Sequence, residues 1–177
     1  MLYNQASSSK FATEFAGVIV GSMTTPKISF DHQISHGEVI SSRFGDIMVD
    51  VERAVAFPSG LLGIPNGRSF VLANFPSEKM SQFRVLQSLD DTALAFITMP
   101  IALDGKIVAT SDIEQAAGEL GIDMADLVVL LVVSVHRSLS DTKISVNSRA
   151  PLFIDSRHKF GVQFVLSKDS YKVQHLL

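Results

Sequence analysis

From Arg43 onward the chain reads as short apolar runs broken by turn residues, the pattern of a β-rich domain. Ile47, Val49 and Val51 alternate with Met48 and Asp50, and a second run over residues 54–57 closes at Pro58-Ser59-Gly60. Residues 69–75, 83–87 and 94–99 are rich in β-branched and aromatic side chains, and Pro76-Ser77 and Asp90-Asp91 separate them. These predict three further strands. After the tight-turn dipeptide Asp104-Gly105, residues 106–109 read as a weaker strand. The run over residues 127–135 (LVVLLVVSV) is apolar on both faces, and its valines favour a core strand over a buried helix. Strands over residues 143–146, 151–154, 162–166 and 171–174 complete the reading, with residues 155–159 as a polar hairpin loop.

One helix interrupts this pattern. Ser111-Asp112-Ile113-Glu114 has the spacing of a capping box, in which the serine hydroxyl and the glutamate carboxylate each satisfy a free amide of the first turn. Ile113, Ala116, Ala117 and Leu120 follow at helical spacing, and Gly121 can end the helix in the left-handed conformation. The apolar face is narrow, so the helix is expected to lie on a sheet. The fold class is therefore mainly β, a small antiparallel β roll or barrel-like domain with one short amphipathic helix.

Residues 1–40 lack any sustained period of 2 or 3.6 and read as a poorly ordered extension preceding a domain over residues 41–177. Met23 offers a second translation start within it. The apolar stretch over residues 11–21 is interrupted by Glu14 and preceded by a single basic residue, Lys10, which makes a poor signal peptide.

Composition narrows the function classes. Of 177 residues, 46% are hydrophobic, and 15 Lys+Arg against 18 Asp+Glu give a formal net charge of −3. No basic excess exists for phosphates or anionic lipid to reward, so direct nucleic-acid or membrane binding is not expected. The absence of cysteine removes disulfides, thiolate metal sites and a cysteine nucleophile together. The longest apolar run is about half the ~20 residues of a spanning helix.

No nucleophile, base and orienting group come together in the text. His32 and His36 have i,i+4 spacing but sit in a polar, glycine-flanked segment with no helical face. Asp90 and Asp91 could serve as paired carboxylates, yet adjacent aspartates are commonplace in turns, where they accept from nearby amides. An enzyme is therefore not expected. What remains is a binding surface, since short strands leave edges that pair with an extended peptide. A peptide- or small-ligand-binding barrel, with Asp90, Asp91 and His136 meeting in a pocket, is the rival reading, and a structural β subunit is a third.

Six collinear pieces resemble the flagellar assembly factor FliW family: residues 43–47 (RFGDI), 57–63 (FPSGLLG), 86–96 (LQSLDD followed by LAF), the valine-rich run 127–135, 147–151 (NSRAP) and 163–171 (QFVL with DSY). The likeness spans about residues 42–177. It departs from the family pattern at Leu62, Ile64 and Ser148 and in the tail. The resemblance implies a cytoplasmic protein without a cofactor that binds flagellin and the RNA-binding translational regulator CsrA in exchange, coupling flagellin translation to filament assembly. It also implies partner contact at Gln87, Asp90, Asp91, Asn147, Tyr171 and His175. Oligomeric state is not legible.

Overall fold

The computed structural model describes residues 37–77, 80–138 and 141–177. The reading of residues 1–36 as an extension, Met23 as a start, and the His32/His36 pair lie outside these residues. Among the described residues, eleven strands and one α-helix follow in order: β1 (Glu38–Ser42), β2 (Gly45–Val49), β3 (Val55–Ala56), β4 (Ser69–Asn74), β5 (Arg84–Ser88), β6 (Ala95–Pro100), α1 (Thr110–Leu120), β7 (Leu127–Arg137), β8 (Thr142–Val146), β9 (Leu152–Asp155), β10 (Phe160–Gln163) and β11 (His175–Leu176).

The strands β7-β6-β5-β4-β3-β10-β9 close on themselves through β7–β9 pairing, making a seven-stranded barrel. All its pairings are antiparallel except the single parallel contact Phe160↔Ala56 between β10 and β3. The long strand β7 makes closure possible by serving two partners on one edge. Leu127 to Leu130 pair with β9, and Val133 to Arg137 pair with β8, which carries β11 on its outer side.

Two apolar clusters explain why β7 is hydrophobic on both faces. Val128 and Leu130 join Val55, Phe57, Phe70, Leu86, Leu152 and Ile154 in a cluster drawn from the barrel strands and the turn after β3, which fills the barrel. The intervening Val129, Leu131 and Val133 join a second cluster outside it, with Ile113 and Ala116 of α1 and Ile47 and Val49 of β2. Alternation thus runs apolar-in and apolar-out, because the helix and the β1–β2 hairpin cover the outer face.

Several expectations need correction. The capping box does not form: the N-cap is Ala109, with no side-chain cap, and the helix begins at Thr110. Thr110 Oγ1 instead donates to the Leu103 carbonyl at 3.1 Å. Residues 106–109 form no strand; they continue the bend from the Asp104-Gly105 turn, where Gly105 has φ +76°. The expected strand at 162–166 lies earlier, as β10, because Phe164 and Leu166 donate their amides to Pro151 and Arg149 off the ladder. The expected strand at 171–174 lies later, as β11. β1 begins at Glu38, inside the segment read as extension, and its EVISS text carries only a weak alternation. Gly121 does end the helix in the left-handed region, at φ 69°.

Candidate functional site

The residues singled out in the sequence fall in two places. Gln87, Asp90 and Asp91 build the β5–β6 turn, whereas Asn147, Tyr171 and His175 lie together where β8 ends and the tail crosses it. In sheet order β6 and β7 stand between the two groups.

Gln87 is fully buried, and this corrects its expected place at a partner surface. Its amide nitrogen donates to the carbonyls of Ser88, Thr92 and Leu94 at 3.0, 3.1 and 3.2 Å, so it ties the turn to the end of β5. β5 is covered on both faces, which is why Leu86 and Gln87 are both inside. Asp90 and Asp91 are exposed, but each also builds the turn. One Asp90 oxygen accepts from the amides of Arg68 and Ser69 at 2.7 and 2.8 Å, and Asp91 accepts from Ala93 at 2.9 Å. The amides of Arg68 and then Ser69 hold the Asp90 carboxyl below its ordinary value. The turn presents two carboxylates to solvent on a rigid frame.

The second group is held by two residues outside the candidate set, Ser148 and Asp112. Asn147 Oδ1 accepts from the amides of Arg149 and Ala150 at 3.1 and 3.0 Å, closing the turn before Pro151. The next residue, Ser148, is buried. Its hydroxyl accepts from the Lys172 amide at 3.0 Å and donates to the Lys172 carbonyl at 3.1 Å, which fastens the tail to the end of β8. Tyr171 reaches the start of α1, where its hydroxyl donates to Asp112 and accepts from the Ala109 amide at 3.1 Å. Lys168 meets the other Asp112 oxygen at 2.7 Å. The Lys168 and Tyr171 contacts hold the Asp112 carboxyl below its ordinary value, while burial, with Asp112 beside it, pushes the Tyr171 phenol up. His175 pairs with Val146 in the ladder and is half-buried. Asp112 and Lys168 are 56 residues apart, and no spacing rule links them.

Two grooves open on the described surface. One, of about 260 Å³, lies between α1 and the chain entering the tail, with Asp112, Glu119, Phe164 and Tyr171 in its wall. The other, of about 580 Å³, lies between the 58–65 turn and β10. Gly60 shapes that turn at φ +67°, where a Cβ would stand 2.5 Å from the Ile64 carbonyl oxygen. Gln163 holds it from the barrel side, accepting from Leu62 at 2.9 Å. Asp90, Asp91 and His136 line neither groove; His136 Nε2 is 2.7 Å from the Ser145 hydroxyl. Among the described residues, no three His, Asp or Glu side chains are grouped to hold a metal ion, and no helix is long and apolar enough to cross a membrane.

Comparison with known proteins matches this architecture. The family model described as "FliW protein" matches residues 38–177. The "Flagellar assembly factor FliW" of Syntrophotalea carbinolica is 34% identical over 143 residues, covering 79% of this chain and 97% of the relative. The "Flagellar assembly factor FliW 2" of Desulfotalea psychrophila is 33% identical, covering 76% of this chain and 87% of the relative. A solved "Crystal structure of the flagellar assembly factor FliW" superposes with TM-score 0.58 at 23% identity, over 78% of this chain and 96% of that one, and so shares the fold.

Proposed function

The chain belongs to the FliW family of flagellar assembly factors, and from that membership we propose that it is a cytoplasmic, non-catalytic regulator that binds flagellin and a CsrA-type translational regulator. Binding of one partner releases the other, so that flagellin synthesis follows filament assembly. The observation that carries this reading is the family match over the whole described domain. Its surface chemistry is compatible: a net charge of −3 suits a basic RNA-binding partner, and the reading needs no cofactor.

The contact surface is proposed at two places, the Asp90-Asp91 turn and the region of Asn147, Tyr171 and His175. Gln87 contributes to the first from inside, by holding the turn in shape. Titration calorimetry of the purified chain against flagellin and against the regulator tests the assignment. Saturable 1:1 binding of each, with flagellin displacing the regulator, is expected. Failure to bind either would remove the partner assignment and leave the family and fold standing.

A further inference from the structure

The tail is attached to the barrel mainly by polar contacts. None of residues 167–177 is buried, and Val173 and Leu176 are 63% and 61% exposed. Only Tyr171 and Leu177 of this stretch pack against the outer apolar cluster, and both do so partly. β11 pairs with β8 over two residues, His175↔Val146 and Leu176↔Ser145, followed by the Leu177 amide donating to Ile144 at 3.0 Å. The remaining attachments are polar and concentrated at three points. Ser148 and the Arg149 amide hold the backbone of Lys172, the Arg149 guanidinium meets the Lys168 carbonyl at 2.5 Å and Asp169 at 3.3 Å, and Asp112 holds Tyr171 and Lys168. A segment with little buried apolar area, held by polar contacts near the surface, belongs to the low-stability end of a fold and opens without the rest.

What the tail covers is a strand edge. β8 is paired with β7 on one side, and β11 alone stands on the other. Its residues Ile144, Ser145 and Val146 are buried with the tail in place. Lifting the tail uncovers three backbone positions of β8, the Ser148 hydroxyl, and Asp112 at the end of the groove beside α1. Such an edge pairs with an extended peptide through backbone hydrogen bonds, while neighbouring side chains choose among peptides.

We propose that residues 167–177 are a displaceable strap, and that the β8 edge beneath it is an acceptor site for an extended peptide segment. The occupant presents backbone to Ile144, Val146 and Ser148 and an aromatic hydroxyl to Asp112, the chemistry the strap itself supplies. The proposal rests on the protein-binding role above only for the source of that segment in the cell; the site and the strap are tested without it.

The probe is a labelled synthetic peptide copying residues 167–177, added to the full-length chain. Tyr171→Phe keeps the ring and removes the hydrogen bonds to Asp112 and Ala109, so the open population should rise on the order of tenfold. Hydrogen exchange should quicken by that factor at the amides of Lys172, Ser148 and Leu177 and stay unchanged in β4, β5 and β6. The labelled peptide should bind this variant about tenfold more tightly than the unaltered chain. Because the chain has no cysteine, Ser145→Cys with Leu176→Cys makes a single disulfide across a register pair. Oxidised, this form should lose peptide binding, and reduction should restore it. Equal binding by the oxidised and reduced forms, or exchange at Leu177 no faster than in β5, would overturn the strap. A concentration-dependent dimer of the Tyr171→Phe chain without peptide capture would overturn it too, in favour of strap exchange between copies. Flagellin binding by the unaltered chain in parallel separates the two readings: its absence counts against the partner assignment alone, whereas peptide binding decides the strap.

Discussion

Single residues hold this fold where turns meet strand ends, and three of them make measurable claims. Gln87 donates to three carbonyls from a fully buried position, so Gln87→Leu should cost about 1–3 kcal/mol by removing those bonds, with the Leu94 carbonyl keeping only the Ser88 amide at 2.9 Å. Thermal unfolding checks this. At Gly161 a Cβ would stand 2.4 Å from the buried ring of Phe57. Gly161→Ala should therefore destabilise by about 1–3 kcal/mol, because the ring is already enclosed by the barrel. Asp90 makes a claim about pH. Its folded carboxyl lies below the ordinary aspartate value of 3.8, held there first by the Arg68 amide and then by that of Ser69. A depressed carboxyl contributes stability that is complete above its unfolded value and lost as pH falls through the folded one. The difference in Tm between the unaltered chain and Asp90→Asn should be largest above pH 4 and shrink as pH falls below 3.8. A difference that stays constant through that range would mean that the two amide bonds do not depend on the charge.

At the scale of elements, β7 decides whether the barrel closes. Leu131 is fully buried in the outer cluster, opposite Met99 of β6, on the strand that joins β6, β8 and β9. Leu131→Asp buries a carboxylate without a partner, a cost of several kcal/mol against a total stability of ~5–15 kcal/mol. Loss of soluble protein or of native circular dichroism is the expected result. This strand was also the most legible in the sequence, because burial on both faces demands an unbroken apolar run. The elements the sequence misplaced are those fixed by distant contacts. α1 starts at Thr110, whose hydroxyl reaches the Leu103 carbonyl, and Asp112 is engaged by Tyr171 and Lys168 from the tail, so the local capping pattern at Ser111 and Glu114 does not form. β11 is placed by Ser148 gripping Lys172, 24 residues away. The same reason separates the candidate site into a legible part and an illegible one. Asp90-Asp91 announce a turn by their own chemistry, and Asn147 announces one before Pro151. The inward direction of Gln87 depends on β5 being covered twice, which no window of sequence displays.

The whole molecule brings its charge and its two candidate contact regions to bear on binding. Because Asp90 and Asp91 are exposed on a turn held by amide donors, their charges sit in fixed positions at the surface, with the charge of Arg68 acting on Asp90. Carboxylates so placed attract a basic partner over about a Debye length, which is ~10 Å at 0.1 M salt, and act more on the association rate than on the dissociation rate. Replacing both with asparagine keeps an oxygen acceptor for each amide, so the turn should persist while the field is lost. The double variant Asp90→Asn with Asp91→Asn should slow association with the basic regulator several-fold at low salt, with little change in dissociation, and the difference should fade near 1 M salt, where the Debye length is ~3 Å. Flagellin, if it docks at the tail region instead, should associate with both forms at the same rate. Stopped-flow association and dissociation of each form with each partner at two ionic strengths measures these rates. An unchanged rate with the regulator at low salt would take the β5–β6 turn out of the interface and leave the β8 end and the tail as the remaining surface for it.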